Sequence, residues 1–330
     1  MSPPIHPDEA WRRIESAVRP LPAEETPRRQ AAGRVLARDL SATVDVPAAD
    51  VSAMDGYALP GPVPPGEPRP VASTIVAGDA PGFELMAPSV ARIMTGAPVP
   101  RGADRVIPVE ASESASRETV TFRSEVPAGE HIRHRGEILR IGDPLLPAGA
   151  LLTPGALGLL ATHGYSRVLV HRAPTVAVLA TGDEVVPPEI EPRPGQLRDS
   201  HTDFLLAAGA GLGLRFEPLG IAPDREDALR GLVERGLRSD VLLLCGGVSM
   251  GELDLVEGVL ADLGCRAHFD AVAIQPGKPL VFATHENGVV FGLPGNPASV
   301  MVSFWLFVRP ALQLLMGREA HWWPALPGVL

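Results

Sequence analysis

Residues 241–254, VLLLCGGVSMGELD, constrain the fold of this chain more than any other stretch. An uncharged apolar run reaches Cys245, the chain bends at Gly246 and Gly247, and LDLVEGVLADLG follows with apolar residues at helical spacing. Strand, tight turn and helix are expected. Such a turn leaves backbone N–H groups unpaired at a helix start, where the peptide dipoles place roughly half a positive charge, so it favours an oxyanion. Gly246, Gly247 and Ser249 are therefore candidate anion contacts. Yet Glu252 and Asp254 follow at once, and a like-charged pair at 4 Å costs about 4 kcal/mol at an effective dielectric of 20. Two explanations stand at this point: a cation bridges the anion and the acids, or both acids cap the helix start.

The same strand and helix rhythm fills the chain after Ala173: TVAVLAT, HTDFLLAAGAGLG, LRFEPLGIA, REDALRGLVERGL, then the stretch above. It predicts a parallel, doubly wound α/β sheet, whose ligands sit at the carboxyl ends of the strands where strand order reverses. The first strand end carries Thr181, Gly182, Asp183 and Glu184, and the second carries Asp224. Downstream come QPGKP, with Lys278, and GLPGNPAS, with Gly295 and Asn296. Asp224 in PDRED also reads as a helix cap, and Asn296 before Pro297 as a cap with proline at the first helical position. Lys278 stands apart because it is the sole lysine among 29 basic residues. A composition that replaces lysine by arginine almost everywhere leaves this one as a candidate for a role needing a compact point charge.

Upstream the character differs. Residues 8–40 are expected to be helical, as DEAWRRIESAV and ETPRRQAAGRVLARDL around a break at Pro20 and Pro22. From Asp45 to about Gly136 short extended segments are broken by Pro and Gly, which reads as an inserted β-rich unit. Within it, Asp55-Gly56 is a hairpin-turn signal, and Thr95-Gly96-Ala97 follows a short strand with a hydroxyl and N–H groups able to hold an oxyanion. A helix is expected again at 154–163. The domain expectation is a helical linking domain from 1–45 and 141–172, the β-rich insertion at 46–140, the α/β domain at 173–318, and a tail at 319–330.

A net charge of −10 without a basic face argues against nucleic-acid binding. Cys245 and Cys265 show no metal spacing and no disulfide framework, and the N-terminus lacks a signal-peptide core, so a cytoplasmic location is expected. ASVMVSFWLFVRPALQLLM is nearly long enough to span a bilayer, but Arg309, Pro310 and Gln313 interrupt it, and it reads as a core helix rather than a membrane span.

Six segments in order, SAMDGYA (52–58), TGAPVPRGADRVIPVE (95–110), LATGDEVV (179–186), GGVSMGELD (246–254), QPGKP (275–279) and GLPGNPASV (292–300), resemble the molybdopterin molybdenumtransferase family, the MoeA and gephyrin E-domain group. The resemblance implies an elongated homodimer with a helical linking part, an inserted β domain, a molybdopterin-binding α/β domain and a C-terminal β domain. The tail at 319–330 is where that last domain would be expected to begin. It implies insertion of molybdate into adenylylated molybdopterin with Mg²⁺ and release of AMP, and the adenylyltransferase acting one step earlier as a partner. By resemblance the functional positions are Asp55, Thr95, Glu184, Asp224, Asp254 and Lys278. Glu184 and Asp254 would hold the divalent cation on the pyrophosphate, Lys278 would face phosphate or molybdate, and the Gly246-Gly247 turn would cradle the pterin phosphate. Thr181, Gly182, Ser249, Gly295 and Asn296 would complete the ligand site. The chain departs from the family at Gln275, where a second lysine is usual, and at Ser200-His201, where Ser-Asn is usual. Two other readings are a molybdopterin-binding scaffold without turnover and an adenylyltransferase of similar α/β fold. The retained acids and lysine speak against the first, and the inserted β-rich unit against the second.

Overall fold

A computed structural model describes residues 3–246 and 255–320. The chain divides into two compact units: one takes the chain up to Arg38, Ala148–Ala161 and the chain from Tyr165 onward; the other takes Asp39–Pro147 with Thr162–Gly164.

Helix α1 (Pro7–Ala17) starts where proline occupies the first turn and the His6 ring accepts from the Asp8 N–H, and it buries Ala10 and Ile14. The helix expected after it does not form. Pro20, Pro22 and Pro27 cannot sit in a helix interior, and residues 23–27 instead make strand β1 (Ala23–Pro27), followed by a short 3₁₀ turn at Arg28–Gln30. Its partner is antiparallel and lies far downstream, at Arg167–His171.

The second unit is β-rich, as expected, and its edges fall a few residues outside 46–140. The pairing of Leu40–Ser41 with Pro144–Leu146 ties both flanks into it. Its main sheet contains β2 (Gly56–Leu59), β3 (Arg69–Ile75), β4 (Val90–Ile93), β5 (Arg105–Pro108), β6 (Ser112–Ala115) and β7 (Thr119–Phe122), in the order β5-β2-β4-β3-β7-β6. Strand β2 is buried throughout, with Tyr57 and Leu59 in one apolar cluster and Ala58 in another. A Cβ on Gly56 would lie 2.0 Å from the Ile107 carbonyl oxygen, so the strand approach requires glycine there. Asp55-Gly56 is not a hairpin turn: Val51–Ser52 before it pairs with Ile132–Arg133, while β2 pairs with β4 and β5.

Back in the first unit come α2 (Pro154–Thr162), β8 (Arg167–His171), β9 (Val176–Thr181), α3 (His201–Gly211), β10 (Phe216–Ala222), α4 (Glu226–Gly236), β11 (Val241–Cys245), α5 (Leu255–Asp262), β12 (Arg266–Ala271), β13 (Pro279–His285), β14 (Gly288–Leu293) and α6 (Pro297–Leu315). Of the residues expected as a separate linking domain, those up to Arg38, 148–161 and 165–172 cluster with the α/β part and the others with the β-rich unit, and α-helix among the described ones is confined to α1 and α2. The sheet order is β10-β9-β11-β14-β13-β12. Four strands are parallel, while β13 and β12 are not both part of a parallel run, because β13 pairs antiparallel with β14 and with β12. The cause is local: Glu286-Asn287 joins β13 to β14, and two residues allow only a hairpin.

Both sheet faces are covered, and the strands show it residue by residue. Val176 and Val178 of β9, with Val241 and Leu243 of β11, pack in the cluster that contains residues of α1, α3 and α6. Ala177, Leu179, Leu242 and Leu244 pack with α4 and α5. The period of two, with both sets apolar, explains the unbroken VAVLAT and VLLLC runs. Helix α6 is the one helix, among the described residues, long and apolar enough to cross a membrane, and it lies in the core with Phe304, Phe307 and Leu312 fully buried. Each such side chain contributes about 1.5–3 kcal/mol by leaving water. A π-helical turn at Phe304–Val308 precedes Pro310, whose ring would otherwise meet the carbonyl four residues back.

Candidate functional site

Strand order decides where the site lies. From β9 the chain crosses through α3 to β10 on one side, then through α4 to β11 on the other. The crossovers diverge between β9 and β11, which leaves a crevice at their carboxyl ends. Register puts Thr181, Cys245 and Leu293 at that edge, since Ala180 pairs with Cys245 and Cys245 with Leu293. The Gly246 N–H donates to the Leu293 carbonyl (3.1 Å) and the Thr181 hydroxyl to the Cys245 carbonyl (3.5 Å). A cavity of about 280 Å³ opens there, lined by Thr181, Glu184, Arg198, His201, Gly246 and Gly295 among others.

Two glycines make this approach possible. Gly246 has φ +91°, and a Cβ on it would stand 2.7 Å from the Thr181 carbonyl oxygen. Gly182 has φ +133°, and a Cβ there would stand 2.6 Å from Glu184 Oε2. Gly246, hard against backbone, demands a residue without a side chain, and the φ of Gly182 favours one. The Glu184 carboxylate thus folds back over its own turn at the cavity wall, a hard oxygen donor suited to a divalent cation. Among the described residues no group of three or more His, Cys, Asp or Glu is placed to hold a metal ion. Asp254, the other expected metal ligand, lies outside the described residues, as do Gly247 and Ser249.

Two helix N-termini face the same cavity, those of α3 at His201 and α6 at Pro297. Asn296 caps α6, its side-chain oxygen accepting from the Ala298 N–H (3.0 Å) and the Ser299 N–H (3.3 Å). Helix α3 is capped by Asp199, whose Oδ1 accepts from the His201 and Thr202 N–H groups at 3.0 and 3.1 Å. Burial lowers the His201 pKa, so its ring is neutral at neutral pH. Burial likewise drives the Cys245 thiol far above its ordinary range, which makes it an inert wall. Asp199 and Arg198 escaped the sequence reading. The signal for Asp199 was present, an acid just ahead of a helix that begins with His201.

Asp224 is not the cap of α4. The residue ahead of that helix, Arg225, makes no side-chain cap hydrogen bond, and Asp224 bonds elsewhere. Its Oδ2 accepts from the Asp183 N–H (3.3 Å) while Asp183 Oδ1 accepts from the Asp224 N–H (3.0 Å). This reciprocal pair fastens the end of β10 to the turn carrying Glu184. Lys278 is exposed at the same sheet edge for an unexpected reason: β13 runs antiparallel, so the residue before it, not after it, sits beside the carboxyl end of β14. Two strand spacings place it roughly 10 Å along the edge from β11, and it does not line the cavity.

Asp55 and Thr95, in the β-rich unit, meet each other. Asp55 Oδ1 accepts from both the N–H and the hydroxyl of Thr95, each at 2.7 Å. The Gly96 N–H donates to the Ser52 carbonyl and the Ser52 N–H to the Ala97 carbonyl, so the two motifs form one hydrogen-bonded surface. The Thr95 N–H, then its hydroxyl, hold the Asp55 carboxyl below the usual carboxylate range, and it is an anionic acceptor at neutral pH.

Comparison with known proteins agrees with this architecture. The family profile described as MoeA N-terminal region (domain I and II) matches residues 5–164, and that described as probable molybdopterin binding domain matches residues 177–314. The molybdopterin molybdenumtransferase of Synechococcus elongatus is 37% identical over 96% of this chain and 81% of its own length. That of Haemophilus influenzae is 36% identical over 93% of this chain and 76% of its own. The chain belongs to the MoeA family of molybdopterin molybdenumtransferases. The crystal structure of the molybdopterin biosynthesis MoeA protein from Pyrococcus horikosii superposes with a TM-score of 0.80 at 33% identity, covering 96% of this chain and 81% of that one. As a MoeA-family transferase of molybdenum cofactor biosynthesis, the chain places its switch-point cavity inside the molybdopterin-binding domain match.

Proposed function

We propose that this transferase inserts molybdate into adenylylated molybdopterin and releases AMP with the help of Mg²⁺. The observation that carries the reading is the cavity between β9 and β11, where the Gly246 turn and the N-termini of α3 and α6 meet the Glu184 carboxylate. An anion-binding wall beside an acid suits a pyrophosphate that binds through a divalent cation. Glu184, with Asp254, would hold that ion, which supplies charge neutralisation and polarises the phosphoanhydride when bound. The positive ends of the α3 and α6 dipoles face the phosphate oxygens, and Arg198 adds positive charge to the same wall. Lys278 at the sheet edge offers a point charge for molybdate or the terminal phosphate. Asp55 and Thr95 act as a rigid acceptor pair on the β-rich unit. A homodimer, a handover of substrate from the adenylyltransferase and a cytoplasmic location accompany this reading.

The test is direct. Purified protein with adenylylated molybdopterin and Mg²⁺ is expected to release AMP and form molybdenum cofactor only when molybdate is added. Tight substrate binding with no molybdate-dependent AMP release would defeat the reading and leave a binding protein.

A further inference from the structure

The switch-point cavity holds fewer open donors than its walls suggest. Asp199 Oδ1 takes the His201 and Thr202 N–H groups at the start of α3, and Asn296 Oδ1 takes the Ala298 and Ser299 N–H groups at the start of α6. The Gly246 N–H and the Thr181 hydroxyl already donate to carbonyls. Two carboxylates, Glu184 and Asp199, line the same cavity and repel an incoming anion. An oxyanion therefore has to be met by side chains as well as by the helix dipoles. Those on the wall with further hydrogens to give are Arg198, Ser200 and His201.

His201 stands apart from the other two. Its Nε2 is buried without a hydrogen-bond partner, although the residue lines the cavity. Folded proteins rarely leave such a nitrogen unmatched, because nothing replaces the hydration it has given up. Burial also keeps the ring neutral, with one N–H and one acceptor nitrogen. Rotation about the Cβ–Cγ bond is soft for an imidazole and needs no movement of the α3 backbone, which Asp199 holds. We infer that His201 is an oxyanion contact of this cavity: its ring turns as the anion enters and donates the Nε2–H to a phosphate oxygen, so that a buried, unmatched nitrogen becomes the donor of a charge-assisted hydrogen bond. The inference rests on the phosphate reading of the cavity above and names a residue that serves it. It also gives a chemical sense to the departure at Ser200-His201. The amide nitrogen of Asn lies one bond nearer Cβ than Nε2 does and has the shorter reach, whereas that of Gln lies as far out.

The probe is inorganic pyrophosphate with Mg²⁺, titrated by calorimetry into the full chain and into its His201→Phe, His201→Gln and His201→Asn variants, with thermal unfolding alongside. Phe keeps a flat ring and removes both nitrogens; Gln keeps a donor at the same reach. Pyrophosphate affinity is expected to fall about 10–100-fold in His201→Phe, to return to within a few-fold in His201→Gln, and to lie between the two in His201→Asn. The melting temperature of His201→Phe should be unchanged or raised, because an unmatched buried nitrogen is gone. One imidazole Nε2 resonance, assigned by its loss in His201→Gln, should shift when pyrophosphate is added. Unaltered affinity in His201→Phe, a resonance that does not move, or equal losses in every variant that track a lowered melting temperature each overturn the contact and leave the cavity reading standing. Failure of the unaltered protein to bind pyrophosphate sinks the cavity reading and the contact together. His201-dependent pyrophosphate binding in a protein that releases no AMP upholds the contact and sinks the reaction reading, so the failures are separable.

Discussion

Replacing Gly182 by alanine tests whether the position of the Glu184 carboxylate matters to the chemistry. The new Cβ would stand 2.6 Å from Glu184 Oε2 and 2.9 Å from its Cδ. Ordinary van der Waals contact begins near 3.5 Å, so the carboxylate must retreat by roughly 1 Å. It is able to do so, because Glu184 is an exposed, flexible side chain. A displacement of about 1 Å at a reacting centre costs on the order of 10²-fold in rate. The backbone adds a second effect: φ is +133°, and an L-residue held there costs about 1–3 kcal/mol of stability. The assay is molybdate-dependent AMP release across a Mg²⁺ titration, with thermal unfolding alongside. Gly182→Ala is expected to fold with a lowered melting temperature, to turn over about 10²-fold more slowly, and to need more Mg²⁺. Glu184→Gln should lose a similar factor, and the double variant should be little worse than either, because both act on one carboxylate. AMP release by Gly182→Ala within about twofold of the unaltered protein, at every Mg²⁺ concentration, would refute the placement of chemistry at Glu184.

Three further outcomes are expected. Asp240, 7% exposed at its side chain, accepts from two Arg172 nitrogens and from the N–H and hydroxyl of Thr175. Asp240→Ala should cost about 3 kcal/mol in urea unfolding, the low end for a buried pair because Arg172 remains 35% exposed. Burial raises the Asp240 pKa, but the Arg172 and Thr175 bonds outweigh it and leave the pKa below the usual value. Its contribution is therefore complete above the ordinary aspartate pKa near 4 and is lost as pH falls through the depressed folded value, an acid slope that Asp240→Asn should remove. Asn296→Ala should lower stability by about 1 kcal/mol through loss of the α6 cap, and Asn296→Asp should restore it; a drop in pyrophosphate affinity that Asp does not restore would make Asn296 a ligand contact as well as a cap. Asp55→Asn should reduce AMP release more than it changes the melting temperature, and a lowered melting temperature with unchanged release would reduce the Asp55–Thr95 pair to a loop clasp.

Much of the α/β unit was legible in advance because its signals are local. VAVLAT and VLLLC are apolar at every position, which a strand buried on both faces requires, and the helices between them carry their own periodicity. The long C-terminal helix and its Asn-Pro start were equally plain. The failures share a cause. ETPRRQAAGRVLARDL has helix-favouring residues, but β1 exists because a strand some 140 residues away pairs with it, and propensity knows nothing of that partner. Asp55-Gly56 carries a turn signal, yet its neighbours pair with other strands, and the glycine serves close approach to Ile107 instead.

Sequence alone determined most elements of the α/β unit, the family and the residue types that could hold an oxyanion beside a cation, because spacing and side-chain chemistry are written in the chain. It did not determine which of those residues meet. Strand order set the crevice between β9 and β11; the antiparallel turn of β13 moved Lys278 along the edge; the reciprocal bonds of Asp183 and Asp224 took Asp224 from helix capping to bracing the Glu184 turn. Asp199 emerged as the α3 cap at the cavity wall only when its bonds to the His201 and Thr202 N–H groups were visible. These are properties of pairing and packing between segments far apart in the chain, and the free energy that selects them resides in no single stretch.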